Sequence, residues 1–183
     1  LIVQALRTTP KLASELRGLE LSRTILLRGN EDQDLKLVLL EALLYSPHYE
    51  FIRELYFSLL QSQHLQEIEF CNAHFRSLLT QTTSDHKKLL AARWLYDAEK
   101  NRAAHDELLA LARTCSDMAI RQVAAEAVND LDSTLELARS AESPGHRRAA
   151  LLNLCGMAKD HPSVLPAIRD VARSDRSPSM RIQ

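Results

Sequence analysis

Glycine, proline and cysteine are scarce in this chain of 183 residues, which contains four, six and three of them. So few turn-forming residues argue against long loops and against barrels or sandwiches. The three cysteines are odd in number and far apart, and none forms a CxxC pair, so we expect no disulfide framework. We interpret all three as small, buried apolar residues: Cys71, Cys115 and Cys155.

Long apolar runs and an excess of positive charge are also missing. No run approaches the roughly 20 residues that cross a bilayer, and the start lacks the basic region of a secretory signal. The formal net charge of −1 argues against a basic nucleic-acid-binding module. There is no initiator methionine, and Ser177 to Gln183 looks like the first turn of a helix. We therefore expect a piece of a larger protein, for which a cytoplasmic location is favoured and the compartment stays open.

Helical periodicity, by contrast, runs through almost the whole chain. In the helix predicted over His48–Gln63 the apolar stripe is Ile52, Leu55, Tyr56, Leu59 and Leu60, with Phe51 and Phe57 off it. The other long predicted helices are Asp32–Tyr45, Leu65–Gln81, Ser84–Ala98, Asn101–Thr114, Asp117–Leu131 and Ser133–Ala141, and further helices begin at Ser143 and His161.

One short sequence pattern recurs four times between residue 84 and the end of the chain. A helix-capping residue is followed four positions later by a base and, in the three complete copies, by a small or apolar stripe. The pairs are Ser84 with Lys88, Asp117 with Arg121, Ser143 with Arg147, and Ser177 with Arg181. The basic residues are 33, 26 and 34 positions apart, and self-similarity at such a period is typical of a helical array.

The segments Ser84–Ala92, Asp117–Val128 and Ser143–Leu154 resemble the second helix of a HEAT repeat, particularly the short bacterial type of phycobilin-lyase-like proteins. The likeness covers residues 84–183, whereas residues 1–83 match poorly. The resemblance implies an all-α fold, an α-solenoid of antiparallel helix pairs that forms a right-handed superhelix. Residues 1–183 would form one helical-repeat domain with irregular N-terminal helices. HEAT-like proteins mostly bind other macromolecules, and a minority handle chromophores or damaged DNA.

The repeated bases predict a ladder along the stacked helices, and two interpretations are open. Lys88, Arg121 and Arg147, with His146 and Arg148 beside the last, could form a basic strip that holds an acidic partner. Alternatively, each base braces the array by meeting an acid or a helix C-terminus of a neighbouring repeat. We favour bracing because acidic residues are plentiful nearby.

Seven of the nine aromatic residues lie within residues 45–75. They predict a bulky core in the irregular part of the chain or, alternatively, a docking surface. The candidates for docking are the aromatics away from the main apolar seams: Tyr49, Phe51, Phe57 and Phe70.

Two constellations could carry chemistry, and we favour a structural role for both. His64, Glu67, Cys71 and His74 share one helical stripe with zinc-compatible atoms, but four ligands spread along one helix do not converge on one ion. Arg93, Trp94 and Asp97 have the composition of the lesion pocket in HEAT-like repair enzymes, although Trp94 lies on an apolar seam and fits the core better.

Glycine-rich phosphate loops, GxSxG and HExxH motifs are absent. We therefore predict a non-catalytic protein–protein interaction scaffold without a cofactor or a bound metal, whose partner is another protein or another domain of the parent chain. Two alternatives stay open. One is an accessory module of an enzyme, lyase-like or repair-like, with a small-molecule or base pocket. The other is nucleic-acid binding without catalysis, which the charge makes the less favoured.

Overall fold

A computed structural model describes Lys36, Leu37, Leu40, residues 50–178 and Arg181, with no side-chain detail for residues 50–52. The sequence also predicts a short helix between Pro10 and Gly18 and another over Leu19–Arg28, and both lie outside the described residues. Of the predicted helix Asp32–Tyr45, the three described residues are helical. Across the described part of the chain every regular element is a helix and no residue belongs to a strand, so the all-α prediction is confirmed there.

Within residues 50–178 the regular elements are eight α-helices and one short 3-10 turn. The 3-10 turn Pro162–Val164 precedes the last helix. None of the described helices has the length and apolar character needed to span a membrane. In chain order the helices are α1 (Glu50–Gln61), α2 (Leu65–Gln81), α3 (Asp85–Glu99), α4 (Arg102–Thr114), α5 (Met118–Val128), α6 (Leu131–Ser140), α7 (Pro144–Met157) and α8 (Leu165–Ser174).

The predicted capping residues start three of these helices. Asp117 accepts hydrogen bonds from the N–H groups of Ala119 (2.8 Å) and Ile120 (3.4 Å) at the start of α5. Ser84 caps α3 and Ser143 caps α7 in the same way. Such caps satisfy backbone donors that the first helical turn leaves unpaired, and this is why a local signal located the helix starts correctly.

The boundary between α5 and α6 corrects the sequence prediction. The prediction ran a helix to Leu131 and began the next at Ser133, but α5 ends at Val128 and α6 begins at Leu131. Asn129 adopts a left-handed conformation (φ 53°) that stops α5, as Asn commonly does after a helix. Asp130 then accepts the N–H of Ser133 and caps α6.

Residues 1–104 and 105–183 form two compact units, and the division falls within α4. In unit 1, helices α1, α2 and α3 pack on one another. Its core holds three large aromatic side chains, Tyr56, Phe75 and Trp94, all buried.

In unit 2, α7 packs against α5, α6 and α8, and α6 also packs against α5 and α8. The core here is built from small and aliphatic side chains, of which Ala124, Ala138, Ala150 and Leu154 are fully buried. Alanine at these positions lets helix backbones approach closely, while the leucines fill the remaining space. The helical spacing of the sequence predicts these four residues on the inward stripes of their helices, and their burial confirms it.

Candidate functional site

Arg147, a member of the predicted basic ladder, is buried at 1% exposure at the start of α7. Its Nε and Nη2 atoms donate to both oxygens of the Asp175 carboxylate, at 2.8 and 2.9 Å. Its Nη1 atom donates to the carbonyls of Ala141 and Glu142, both at 2.8 Å. The guanidinium thus joins the carboxylate that follows α8 to the C-terminal end of α6.

Asp175 is the acidic end of this brace. The hydrogen bonds from Arg147, together with that from the Ser177 N–H, hold the pKa of the Asp175 carboxyl at about 2, below the ordinary 3.8, although burial opposes the shift. Arg176 adds a further donor to the Ala141 carbonyl at 2.7 Å. A planar guanidinium with a bidentate carboxylate gives the short, directional contacts seen here.

Arg121, the preceding member of the ladder, is also buried. Its Nε atom donates to the Ala112 carbonyl near the C-terminal end of α4 at 3.1 Å, and its Nη2 atom lies 3.1 Å from Glu136 on α6. These are the two contacts that the bracing interpretation names: a helix C-terminus and an acid from a neighbouring helix. The functional groups of both arginines are therefore engaged inside unit 2.

The other ladder residues lie nearer the surface. Lys88 on α3 and His146 on α7 are half-buried, and Arg148 is exposed. Arg181 is exposed, and its N–H donates to the Pro178 carbonyl within a turn. Of the arginines predicted to contact a partner, only Arg148 presents its side chain to solvent.

The aromatic residues of unit 1 divide into a core and a surface set. Trp94 is buried and packs on Phe75 (ring centroids 5.1 Å apart) and Tyr56 (5.5 Å). Its indole N–H donates to the buried Asn72 carboxamide oxygen at 2.7 Å. A core role for Trp94 is confirmed, and Arg93 forms an ion pair with Asp97 along α3.

Three large apolar side chains remain exposed where α1 turns into α2: Phe57 (43% exposed), Leu60 (44%) and Leu65 (66%). We call them the hairpin patch. Leu60 corrects the predicted inward stripe of α1, because Leu55, Tyr56 and Leu59 are buried but Leu60 is not. Positions 57 and 60 are three residues apart and share one helix face, and this face is the solvent side. Arg53 lies on the same face, 5.5 Å from the Phe57 ring.

The remaining aromatic candidates contribute less to a surface. Phe70 is half-buried on α2. Tyr49 lies outside the described residues, and so does the side chain of Phe51. Leu60 and Leu65 are not among the predicted docking residues, because Leu60 was assigned to the buried stripe of its helix and the predicted candidates were all aromatic. Their positions, with Leu60 in the last turn of α1 and Leu65 at the start of α2, could have indicated exposure.

The stripe His64, Glu67, Cys71 and His74 does not form a metal centre. Among the residues that the structure describes, no three His, Cys, Asp or Glu side chains are placed to hold an ion together. Glu67 is buried and pairs with Lys36, whose Nζ atom is 3.4 Å away, while His64 Nδ1 lies 3.6 Å from the same carboxylate. The spacing of residues along α2 could not predict the pairing of Glu67 with Lys36, because Lys36 belongs to an earlier helix.

The cysteines differ in exposure. Cys71 and Cys115 are buried as predicted, but Cys155 is exposed on α7, so the prediction of a buried residue is wrong there. Burial raises the pKa of the Cys71 thiol to about 12, with Lys36 opposing the shift and Glu67 adding to it. A thiol in that state is a poor nucleophile at neutral pH.

No protein-family model, curated protein or solved structure matches this chain.

Proposed function

We propose that this chain is a non-catalytic protein-interaction scaffold, built as a HEAT-like solenoid of stacked helix pairs, and that the hairpin patch is where its partner docks. The observation that carries the proposal is the exposure of Phe57, Leu60 and Leu65 at one end of the α1–α2 hairpin. Exposed apolar patches mark sites where soluble proteins contact other proteins.

The surroundings of the patch have the composition of an interface. Arg53 stacks against Phe57, and arginine and aromatic residues are enriched where binding energy concentrates. Glu54 and Gln61 on α1 are exposed beside these side chains and would form a polar rim. An apolar centre with a polar rim fits a protein partner better than a nucleic acid, which would need clustered positive charge.

The bracing arginines support the scaffold role in a second way. The guanidinium groups of Arg121 and Arg147 form hydrogen bonds within the chain. In this proposal they connect neighbouring helices and do not contact a partner. A repair-like base pocket is less favoured, because the Trp94 ring and its N–H are occupied in the core.

To test the proposal, the tagged full chain is incubated with an extract of its native cells, and the proteins that it retains are identified. The double variant Phe57→Ser with Leu60→Ser is compared with Leu152→Ser, a matched control whose leucine is 64% exposed on α7. We expect one discrete partner to stay with the wild type and the control and to be lost from the double variant.

Three outcomes would contradict the proposal. The double variant could keep the partner, or the wild type could retain nothing that the double variant lacks. Alternatively, sedimentation of the purified chain could show self-association that Phe57→Ser abolishes, which would assign the patch to a second copy. Circular dichroism checks that the variants remain helical.

A further inference from the structure

Unit 2 contains an open cleft of about 350 Å³ between α5, α7 and the turns that follow them. This volume is at the low end for ligand sites, which span roughly 300–1,000 Å³. Such a space suits one side chain or a small molecule better than a folded surface. Its lining includes Glu126, Asn129, Asn153, Gly156, Asp160 and His161.

Most polar side chains that line this cleft have no partner among the described residues; the exception is Thr134, whose hydroxyl donates to the Asp130 carbonyl. Elsewhere in unit 2 the carboxylates of Asp117, Asp130 and Asp175 cap helices or bind arginine. In contrast, the side chains of Glu126, Asn129, Asn153, Asp160 and His161 form no hydrogen bond or ion pair with another described residue. The two carboxylates and two carboxamides that line the cleft therefore have oxygen atoms available to accept hydrogen bonds from a ligand.

We propose that this cleft binds an arginine side chain carried by a flexible segment of a partner protein. The proposal rests on the proposed function only in assigning the arginine to a protein, and it does not involve the hairpin patch.

The charge of the cleft favours this ligand. Two carboxylates line it, and none of the lining residues is lysine or arginine. A guanidinium has five N–H donors in a planar fork, which two carboxylates and the carboxamide oxygens can accept together. The methylene stem of an arginine can pack on the apolar Met157 side chain, which also lines the cleft. The carboxamide N–H groups are left to donate to carbonyls of the peptide backbone.

The probe is a blocked pentapeptide, Gly-Ser-Arg-Ser-Gly, titrated into the full chain at millimolar concentrations while amide resonances are followed by NMR. Matched peptides carry lysine or citrulline in place of arginine, and spermidine is titrated separately. We expect saturable shifts at Asn129, Asn153 and Gly156, with the neutral citrulline peptide at least about tenfold weaker because charge-assisted hydrogen bonds are lost.

Two variants test the cleft itself. Glu126→Gln combined with Asp160→Asn should weaken arginine-peptide binding at least about tenfold, whereas the matched control Asp132→Asn, an exposed acid on α6, should not. Gly156→Leu should block the cleft without unfolding the chain, since a Cβ atom at Gly156 meets nothing within 4 Å. The Phe57→Ser and Leu60→Ser double variant should bind the peptide normally, which separates this site from the proposed function.

The inference is overturned if the wild type shows no saturable shifts, if citrulline binds as well as arginine, or if the double acid variant binds like the wild type. Equal affinity for the lysine peptide would also reject it, by assigning the cleft to any cation. Spermidine binding more tightly than every peptide would make it a polyamine site.

Discussion

The two units of this protein build their cores from different side chains. All nine aromatic residues lie in unit 1, and residues 105–183 contain none. Unit 1 fills its centre with Tyr56, Phe75 and Trp94, and the Trp94 indole N–H donates to the buried Asn72 there. Large flat rings supply much buried area from few positions.

Unit 2 instead packs alanine against leucine and adds buried arginines. Small side chains bring helices close but bury less apolar area each, and Arg121 and Arg147 tie the helix ends together. A buried guanidinium stabilises only while its partners are present. The stability of unit 1 should therefore depend on the volume of its buried side chains, and that of unit 2 on the hydrogen-bond partners of its arginines and on pH.

The largest effect is expected from Trp94→Ala in unit 1. It removes the central ring of the aromatic core and leaves the buried Asn72 amide without its partner, so the free energy of unfolding should fall by about 3–5 kcal/mol. Urea unfolding followed by circular dichroism measures it. Leu65→Ala, at an exposed position, is the control and should change stability by less than about 0.5 kcal/mol. Equal effects of the two substitutions would contradict the aromatic-core account.

Arg147→Ala should be the most damaging single change in unit 2. It leaves the Asp175 carboxylate without its arginine and the Glu142 carbonyl without its donor, while the Ala141 carbonyl keeps only the bond from Arg176. An uncompensated buried charge is strongly destabilising. The neighbouring Arg148→Ala, which removes an exposed arginine, should alter unfolding by no more than about 0.5 kcal/mol. Thermal melts of the pair compare them directly, and a harmless Arg147→Ala would show that the brace is dispensable.

Acid should weaken unit 2 through the same brace. The pKa of Asp175 is lowered from 3.8 to about 2 in the folded chain, so its stabilising contribution is complete above 3.8 and disappears as the pH falls towards 2. Asp175→Asn should therefore be less stable than the wild type at neutral pH, and the difference should shrink over that interval. Urea unfolding at a series of pH values measures the difference, with Asp132→Asn as the reference. A difference that stays constant down to pH 2 would contradict the assigned shift.

The smallest predicted effect is a gain. Gly156 lies within α7, and an added Cβ atom would meet nothing within 4 Å. Gly156→Ala should raise the free energy of unfolding by about 0.5–1 kcal/mol, because alanine loses less backbone entropy in a helix. Urea unfolding measures the change, and a lower free energy of unfolding would contradict the open space around Gly156.

The single tryptophan, Trp94, lets these tests be assigned to one unit. Its fluorescence reports on unit 1, whereas the helical circular dichroism signal reports on the whole chain. If Trp94→Ala and Arg147→Ala act on separate units, Arg147→Ala should shift the circular dichroism transition more than the fluorescence transition.

By itself the sequence determined the helices, their caps and the small-residue seams of the described region, because these depend on groups three or four residues apart. The Ser84, Asp117 and Ser143 caps and the buried Ala124 and Ala150 were all readable in that way. The boundary at Asn129 and Asp130 was predicted wrongly, because the residue that stops α5 and the residue that caps α6 are adjacent there.

The tertiary structure alone decided what the charged and surface residues do. Arg147 finds its carboxylate 28 positions away, and Arg121 finds Glu136 15 positions away, so no local spacing could distinguish a brace from a binding strip. The exposure of Leu60 and Cys155 and the cleft around Gly156 likewise depend on which helix faces meet. Periodicity tells which residues share a face, but the neighbour that covers that face comes from elsewhere in the chain.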